Sequence, residues 1–233
     1  MKKILVCEDE TAIREFVVIN LKRAGYDIVE ASSGEEALKK YDENNGNIDV
    51  AILDIMMSGI DGLQVCKELR NRNSDIGIIM LSARTQEMDK VTALMIGADD
   101  YVTKPFSPSE LTARVDSLYR RVSMTASKNN SEFNEIIVSG AFSLNLRNRT
   151  LFKNGVSIDL TQVEFQIMEY FLSNPNVALD RTDILNHVWG DTYIGQEKIV
   201  DVNIRRLRMK IEDNPSVPKY IVTVWGLGYK WEA

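Results

Sequence analysis

The stretch IDVAILDIMMSGIDG, residues 48–62, places a carboxylate at the end of a strongly apolar strand pattern. The apolar, β-branched run ends at Leu53, Asp54 follows, and Gly59 and Gly62 interrupt regular structure soon after it. A buried carboxylate is costly unless it is paired or bound to a metal. Asp54 therefore either caps the next helix or turn or belongs to a site, and the ends of the neighbouring strands distinguish the two.

Short apolar runs on both sides of this stretch have the same strand pattern. They lie at residues 4–7, 26–31, 76–81 and 101–102. Helical patterns alternate with them, at residues 11–24, from 33 onward, at 62–72, at 86–96 and from 107 onward. Ser33 with Glu36 has the signature of a capping box, and Pro108 stands at the first position of the last helix. Five β–α units in this order predict an α/β fold with a doubly wound, five-stranded parallel sheet.

Polar side chains stand at the carboxyl ends of these predicted strands, where ligands bind in sheets of this kind. They are Glu8, Asp9, Asp54, Ser82 and Lys104. Clustered acids repel one another and need a cation, and oxygen ligands favour a hard ion, most plausibly Mg²⁺. A metal, an ammonium group and a hydroxyl beside a carboxylate suit phosphoryl transfer, with the carboxylate as nucleophile. Each acid by itself could cap a helix, but three acids, a hydroxyl and an ammonium group at one edge indicate a site.

Residues 1 to about 122 resemble the receiver domain of two-component response regulators, which has a flavodoxin-like fold. The resemblance rests on these residues together: Glu8-Asp9, Asp54, Ser82-Ala83, Tyr101 and Lys104-Pro105-Phe106. It implies that a sensor histidine kinase transfers a phosphoryl group to Asp54. It also implies that Mg²⁺ is bound by Asp9, Asp54 and the backbone carbonyl of Met56. Glu8 would act on the metal largely through water.

The same resemblance assigns roles to three residues around the acids. Lys104 would contact the phosphoryl group, with a cis bond to Pro105. Ser82 would hydrogen-bond the added phosphate, and Tyr101 would turn inward as the switch aromatic. The family often has proline where this chain has Ser58, a departure that could loosen the loop after the acidic strand without removing a ligand.

The run from residue 86 to 121 carries charges that a solvated surface would also show, since exposed ion pairs contribute only about 0–1 kcal/mol each. In response regulators with a winged-helix output domain, this face forms a two-fold dimer with intermolecular ion pairs. By resemblance, the pairs are Lys90 with Glu110, Asp99 with Arg114, and Asp100 with Arg121. A two-fold interface repeats every pair, so these weak bonds could together set its register.

A polar stretch, SMTASKNNSEFNE at residues 123–135, has the composition of a linker. It separates two segments long enough to be domains, residues 1–122 and 136–233.

Cys7 and Cys66 lie in apolar patterns and are interpreted as reduced core residues of a cytoplasmic protein. The apolar runs are too short for a membrane span or a signal peptide, so no membrane partner is expected.

The segment after the linker has short strands first and helices later, which predicts an α+β domain. Apolar triplets with turns between them, including Asn154-Gly155, predict a small antiparallel sheet. Thr161 to Glu164 has a capping-box signature, and Asp180 begins a further helix. The next helix, KIVDVNIRRLRMKIE at residues 198–212, carries an apolar row for a core and several cations elsewhere. A hairpin with glycines in its turn follows at 220–230.

Residues from about 136 to 232 resemble the winged-helix effector domain of OmpR/PhoB-type transcription regulators. The matching motifs are LTQVEF at 160–165, VWG at 188–190, VDVNIRRLR at 200–208 and GLGY at 226–229. The resemblance implies a basic helix in the major groove of DNA and a hairpin, the wing, at the backbone or minor groove. The residues expected on this DNA-binding surface are Lys198, Val202, Arg205, Arg206, Arg208 and Lys230. Trp225 stands where many members have arginine, and we expect it to pack the wing.

These patterns together predict a phosphorylation-activated, DNA-binding transcription regulator of a two-component system rather than an enzyme. The expected partners are a sensor histidine kinase, promoter DNA with direct repeats, and a second copy of the chain on phosphorylation. RNA polymerase is a further expected partner at the loop Asp191–Glu197. A phosphatase using Asp54 as nucleophile would need a second acid two residues later, where this chain has Met56. The alternative is a DNA-binding regulator that does not need phosphorylation and keeps a vestigial acid pocket.

Overall fold

The computed structural model describes residues 2–83, 87–123, 136–191, 193 and 195–232, without the side chains at 87 and 120–123. They belong to two compact units, Met1–Ser123 and Met124–Ala233. The predicted linker lies outside the described residues except for its first position. Its boundaries therefore stay a prediction.

The first unit is a parallel sheet with helices between successive strands, as the alternating pattern predicted. Its strands are β1 (Lys3–Cys7), β2 (Asp27–Ala31), β3 (Val50–Asp54), β4 (Gly77–Ser82) and β5 (Asp100–Thr103). Its helices are α1 (Thr11–Arg23), α2 (Gly34–Glu43), α3 (Gly62–Arg72), α4 (Glu87–Ile96) and α5 (Pro108–Ser123). All neighbouring strands pair in parallel, in the order β2-β1-β3-β4-β5. The doubly wound five-stranded sheet is thus confirmed.

Burial follows the strand composition. Every residue of β3 and of β4 is buried, because these central strands are covered by helices on both faces. On one face, Val17 and Leu21 of α1 and Val115 of α5 pack with Ile52 of β3 in one apolar cluster. This arrangement holds the carboxyl ends of β1 and β3 in fixed register.

The second unit has two antiparallel sheets around three helices. The first sheet contains β6 (Ile136–Ser139), β7 (Phe142–Asn145), β8 (Thr150–Lys153) and β9 (Val156–Ile158) in that order. The helices are α6 (Gln162–Ser173), α7 (Arg181–Trp189) and α8 (Lys198–Ile211). The second sheet has the order β10-β12-β11, from β10 (Ala178–Asp180), β11 (Ile221–Val224) and β12 (Gly228–Trp231). The helices and the β11–β12 hairpin have the winged-helix arrangement expected from the sequence.

One short strand, β10, did not emerge from the sequence pattern. It has only three residues, too few for an alternation to be visible, and it exists because Leu179 pairs with Tyr229 of β12. Asp180 ends the strand and caps α7, its side chain accepting a hydrogen bond from the Asp183 backbone N–H at 2.6 Å. The predicted helix start is therefore confirmed.

Two capping signatures differ in outcome. Thr161 and Glu164 form a complete capping box at the start of α6. At α2, Ser33 Oγ accepts the Glu36 backbone N–H at 3.2 Å, but the Glu36 carboxylate accepts the backbone N–H of Ser32 at 2.7 Å. Only half of the predicted box forms there, because the preceding serine offers the carboxylate a second hydrogen bond from its hydroxyl group.

Aromatic residues join the two sheets of the second unit. The fully buried Trp231 lies 5.1 Å from the Phe142 ring, centroid to centroid, and its indole N–H donates to Ser139 Oγ at 2.9 Å.

In the first unit, Cys7 and Cys66 are free thiols and buried, as predicted. Among the helices described, none has both the length and the apolar composition needed to cross a bilayer.

Candidate functional site

Three carboxylates meet at the carboxyl edge of the parallel sheet. The pairing of Cys7 with Leu53 places the residues that follow them, Glu8 and Asp54, side by side. One carboxylate oxygen each from Glu8, Asp9 and Asp54 lies within 4.8 Å of the others. Glu8 and Asp54 are buried, and Asp9 is exposed. The cluster predicted from the strand ends is present.

Lys104 reaches into this cluster from the end of β5. Its Nζ lies 2.7 Å from Glu8 Oε2 and 3.0 Å from Asp54 Oδ2. The Lys104–Pro105 peptide bond is cis, as expected from the resemblance. The Lys104 backbone N–H donates to the carbonyl of Ser82 at 2.8 Å, and Ser82 is fully buried. Strand pairing therefore brings the hydroxyl-bearing and ammonium-bearing segments to the same edge.

The electrostatics of the cluster favour an added cation. Burial raises the pKa of Glu8 to about 7, with a contribution from the Asp54 charge, while the hydrogen bond from Lys104 opposes the rise. Burial alone would lower the pKa of Lys104, but its hydrogen bonds to Glu8 and Asp54 outweigh burial and raise it. One ammonium group cannot balance three carboxylates. The all-oxygen donor set therefore fits a hard divalent ion such as Mg²⁺.

A cavity of about 610 Å³ opens beside the carboxylates. Its polar wall contains Glu8, Asp9, Glu10, Asp54 and Lys104, and its apolar wall contains Ile13, Phe16, Met56, Ala83, Pro105 and Phe106. Asp54 is 3% exposed as a residue, yet it lines this cavity. Asp54 therefore borders an open cavity despite its low exposure.

The loop after Asp54 is held by contacts that the sequence pattern did not reveal. The Glu35 carboxylate accepts the Ile60 backbone N–H at 3.0 Å, which ties the loop to α2. A Cβ atom on Gly62 would lie 2.1 Å from the Asp54 carbonyl oxygen, so only glycine fits there. Ser58 is exposed within this loop. The tie to Glu35 and the close packing at Gly62 supply restraints where the family's proline is absent.

The structure gives the positions of two further residues to which the resemblance assigns roles, Tyr101 and Met56. Tyr101 is 8% exposed, so its ring is already inward, with Lys90 Nζ 5.9 Å from the ring centroid. Met56 follows the acidic strand with an exposed side chain, and its backbone N–H donates to Asp54 Oδ1 at 3.4 Å. The backbone of Met56 is thus adjacent to Asp54, and binding of Mg²⁺ by the Met56 carbonyl stays a prediction.

Several of the charges predicted to form dimer pairs have partners within the described part of the chain. The Asp99 carboxylate is fully buried, forms an ion pair with Arg70, and accepts the Ile78 backbone N–H at 2.8 Å. Arg114 lies 3.0 Å from Asp100 and 3.0 Å from Glu110. The side chain of Arg121 lies outside the described residues. Within the chain, Asp99 pairs with Arg70, because α3 places that guanidinium beside the start of β5. The three intermolecular pairs stay a prediction.

The residues of α8 that are predicted to face DNA differ in their exposure to solvent. Lys198 and Arg205 are exposed, whereas Val202 and Arg206 are only 4% and 6% exposed. The Arg206 guanidinium lies 3.0 Å from the Glu164 carboxylate of α6. Neighbouring elements thus cover Val202 and Arg206 in this conformation, and their contact with DNA stays a prediction.

Arg208 ties α8 to the wing. Its guanidinium donates hydrogen bonds of 2.9 and 2.7 Å to the Ile221 carbonyl and one of 2.9 Å to Thr223 Oγ1. At the other strand of the hairpin, Lys230 Nζ lies 2.5 Å from the Glu232 carboxylate. Arg208, predicted to face DNA, thus also positions the wing beside the helix.

A second tie involves Asp201 of α8. Asp201 Oδ1 accepts hydrogen bonds from Arg181 Nε at 2.8 Å and from the Tyr229 hydroxyl at 2.7 Å. Arg181 also donates to the carbonyl of Leu227, in the wing turn, at 3.1 Å. These partners come from α7 and β12, distant in sequence, so the helical pattern of α8 gave no signal for them.

Glu164 is the buried anion behind α8. Its carboxylate accepts hydrogen bonds from the Thr161 backbone N–H at 2.8 Å and from Lys210 Nζ at 2.7 Å, besides the pair with Arg206. Burial alone would raise the pKa of Glu164, but Arg206 and Lys210 outweigh it and hold the pKa below its usual range. The capping glutamate of α6 therefore also fixes the position of α8.

Comparison with known proteins gives the same two parts. Residues 4–116 match the family described as response regulator receiver domain, and residues 155–231 match transcriptional regulatory protein, C terminal. The chain is 42% identical over 235 residues to the alkaline phosphatase synthesis transcriptional regulatory protein PhoP of Bacillus subtilis (strain 168), covering 99% of this chain and 97% of that protein. It is 38% identical over 233 residues to the sensory transduction protein RegX3 of Mycobacterium tuberculosis (strain ATCC 25618 / H37Rv), with both chains covered completely.

Solved structures also match over the full length. The response regulator DrrB, a Thermotoga maritima OmpR/PhoB homolog, is 29% identical with a TM-score of 0.51, and 100% of each chain is covered. A RitR mutant is 22% identical with a TM-score of 0.77, covering 100% of this chain and 99% of that chain, and this likeness concerns the fold alone.

Proposed function

This chain belongs to the response regulators of the OmpR/PhoB type, which regulate transcription in two-component systems, and from this we propose that phosphorylation of Asp54 controls its binding to promoter DNA. The observation that carries the proposal is the meeting of Glu8, Asp9 and Asp54 with Lys104 at one cavity. A carboxylate used only as a cap would need neither the other two acids nor the ammonium group.

The proposed reaction is transfer from a phosphohistidine of a sensor kinase. An Asp54 carboxylate oxygen attacks phosphorus, the nitrogen–phosphorus bond breaks, and the imidazole nitrogen keeps the electron pair. Lys104, 3.0 Å from Asp54 Oδ2, is placed to contact a phosphoryl oxygen, and Ser82 to hydrogen-bond the product. Position 56 holds methionine, not an acid that could activate water, so we propose a regulator rather than a turnover enzyme.

Asp9, Asp54 and the Met56 carbonyl would hold Mg²⁺, with Glu8 acting through water. The ion, when bound, would neutralise charge on the phosphoryl oxygens. The donor set supports this assignment, since three carboxylates share the site with one ammonium group. A bound cation would favour the charged form of Glu8, and this would offset the burial that raises the pKa of that carboxyl group.

Removal of one metal ligand gives a direct test. Asp9→Asn is expected to weaken Mg²⁺ binding at least roughly tenfold, about 1.4 kcal/mol, because one charged ligand of an exposed edge is lost. Isothermal titration with Mg²⁺ at neutral pH measures the change. Glu10→Gln is the matched control, since it removes the neighbouring exposed charge of the same cavity wall without touching the cluster. Equal weakening in both variants would contradict the assignment of Asp9.

On the DNA side, we propose that the exposed cations of α8 and the wing contact the duplex. Lys198 and Arg205 supply the exposed charges, and Arg208 and Lys230 border the wing. The proposed sites are direct repeats bound by two copies of the chain, which associate through the α4–β5–α5 charges after phosphorylation. The cytoplasm is the proposed location, and the loop Asp191–Glu197 is proposed to contact RNA polymerase.

The contribution of one helix cation is measurable through salt. Arg205→Ala is expected to weaken binding to mixed-sequence duplex DNA and to reduce the slope of log K against log salt by about 1, as for the loss of one phosphate contact. Fluorescence anisotropy of a labelled duplex at several salt concentrations gives both quantities. Lys67→Ala removes an exposed cation from α3 of the other unit and should leave the slope unchanged. An unchanged slope in Arg205→Ala would remove this residue from the proposed interface.

The function as a whole is tested by selection from fragmented genomic DNA. The full chain, with and without a small-molecule phosphodonor and Mg²⁺, is incubated with the fragments, and bound DNA is sequenced. Enrichment of discrete fragments that increases with phosphodonor supports the proposal. Equal enrichment in both samples supports the alternative, a regulator that does not depend on phosphorylation.

A further inference from the structure

The turn between β1 and α1, residues 8–10, carries two of the three acids of the cluster. Asp9 and Glu10 are exposed, and Glu10 stands at the N-cap of α1 without a capping hydrogen bond from its side chain. A metal ion that binds Asp9 must fix the conformation of this exposed turn, and the ordering of flexible groups costs conformational entropy. A contact that already orders the turn would lower that cost.

Arg14 of α1 reaches back to this turn. Its Nη1 donates hydrogen bonds to the Glu8 carbonyl at 2.7 Å and to the Asp9 carbonyl at 3.4 Å. Its Nη2 donates to Thr11 Oγ1 at 3.4 Å. The guanidinium is planar and holds its donors in a fixed arrangement. One side chain therefore links the residue after β1, the turn and the first residue of α1.

The acceptors of Arg14 distinguish it from Lys104. Lys104 Nζ pairs with the carboxylates of Glu8 and Asp54, so it occupies oxygens at which a cation would also be attracted. Arg14 instead contacts two backbone carbonyls and a hydroxyl group. It thus holds the chain that carries the acids through groups that are not the proposed metal ligands.

The charge of Arg14 acts in the opposite direction from its hydrogen bonds. A second cation near the cluster repels Mg²⁺, so a role through charge alone would weaken metal binding. Arg14 is only partly buried, and solvent and salt screen its charge, whereas its hydrogen bonds fix the path of the turn. The net effect of this side chain on metal binding is therefore expected to be favourable.

We propose that Arg14 is a positioning residue of the metal site, which holds the turn so that the Asp9 carboxylate is directed toward an ion shared with Asp54. The proposal rests on the Mg²⁺ site proposed above and adds a residue that touches neither the ion nor the phosphoryl group. Groups that orient metal ligands through hydrogen bonds typically account for roughly 10–100-fold in metal affinity. Arg14 should act near the lower end of that range, since its bond to the Asp9 carbonyl is long.

Two substitutions separate positioning from charge. Arg14→Met keeps an apolar stem but removes the donors and the charge, and it should weaken Mg²⁺ binding by the full chain roughly tenfold in isothermal titration. Arg14→Lys keeps the charge and can reach one carbonyl but not all three acceptors, so its affinity should fall between those of Arg14→Met and the wild type. A role through charge alone would instead give tighter binding in Arg14→Met and wild-type binding in Arg14→Lys. Arg23→Ala, at the exposed opposite end of α1, is the control and should bind as the wild type does.

A double substitution tests whether Arg14 acts through Asp9. Once Asp9→Asn has removed the ligand, the position of the turn matters less to the ion. Arg14→Met should then weaken Mg²⁺ binding much less than it does in the wild-type background, because coupled residues give non-additive effects. Fully additive losses would show that the two residues act independently and would overturn the proposal.

Hydrogen exchange gives a measurement without metal. In Arg14→Met, the backbone amides of residues 8–13 should exchange faster than in the wild type, while peptides from α5 should be unchanged. Faster exchange in both regions would indicate general destabilisation and contradict a local role. With a small-molecule phosphodonor, the Mg²⁺ concentration for half-maximal phosphoryl incorporation should rise about as much as the affinity falls. The rate at saturating Mg²⁺ should approach that of the wild type, since Asp54 and Lys104 are intact.

The outcomes distinguish this inference from the function on which it rests. Wild-type or tighter Mg²⁺ binding by Arg14→Met, or unchanged exchange in residues 8–13, would overturn the positioning role and leave the metal site standing. A rate that stays low at saturating Mg²⁺ would also overturn it, because the defect would then lie in the transfer step. Absence of Mg²⁺ binding by the wild type itself would contradict the proposed metal site and this inference with it.

Discussion

Asp54→Asn is expected to abolish phosphorylation and the association that follows it. Intact mass of the wild type after incubation with a small-molecule phosphodonor and Mg²⁺ should show one added phosphoryl group, and the variant none. The amide is nearly isosteric but cannot act as the attacking carboxylate oxygen. Because the amide occupies nearly the same volume in the buried site, the substitution should leave the surrounding fold in place.

Sizing of the same samples measures the consequence for assembly. The phosphorylated wild type is expected to dimerise, and the variant to remain in the unmodified state under all conditions. A phosphoryl group on both proteins would place the acceptor elsewhere. Modification of the wild type without dimerisation or any change in DNA binding would favour the vestigial-pocket alternative. Asp61→Asn, at the cap of α3 in the same loop, is the control for general loss of a nearby carboxylate.

The proposed dimerisation would have to accommodate the ion pairs that exist within one chain. Asp99 is held by Arg70, and Arg114 lies between Asp100 and Glu110. In the proposed dimer, these intrachain partners would be shared or exchanged across the two-fold axis, as a population shift toward a dimer-competent state requires. Exchange of these ion pairs is the step by which we propose that phosphorylation at the sheet edge changes the charged face.

The second large effect is expected at Glu164. Glu164→Gln removes the charge that Arg206 and Lys210 share, and Glu164 and Arg206 are 0% and 6% exposed. Loss of one partner from a buried ion pair costs about 3 kcal/mol of the free energy of unfolding. Lys210 is partly exposed, so its share is reduced by solvent. The expected loss therefore comes mainly from the Arg206 pair.

The chain supplies its own reporter for this measurement. Its tryptophans, at positions 189, 225 and 231, all lie in the second unit, so urea unfolding followed by tryptophan fluorescence isolates that unit. The variant should unfold at lower urea concentration with an unchanged dependence on urea. Glu169→Gln on the same helix should show little change. A variant as stable as the wild type would contradict the role of the ion pair.

The pH dependence has a fixed sign. The pKa of Glu164 is lower in the folded protein than its ordinary value of 4.5, so its contribution to stability is fully present above that value. The contribution is lost as the pH falls through the folded pKa, because the carboxylate must then accept a proton. The difference in stability between wild type and Glu164→Gln should therefore be largest near neutral pH and should shrink below pH 4.5.

Most of the fold and the core of the acidic site could be predicted from sequence. The alternation of apolar runs and helical periodicities determines a parallel sheet, and a parallel sheet brings all strand ends to one edge. Glu8, Asp9, Asp54, Ser82 and Lys104 follow from that rule alone. Local sequence patterns also predicted the basic helix, the capping box at Thr161 and the hairpin with its glycines, since each depends on neighbours only a few residues away.

Tertiary structure decided which charged and aromatic residues remain available to a partner. In sequence, Arg206 does not differ from the other cations of α8. In the structure it is buried against Glu164, which lies 42 residues earlier in the chain. Asp99 is paired with Arg70 of α3, and Trp225 is exposed instead of packed. Periodicity shows the direction in which a side chain points, but burial and pairing depend on what the folded chain brings to face it from distant positions. That information exists only when the elements have packed.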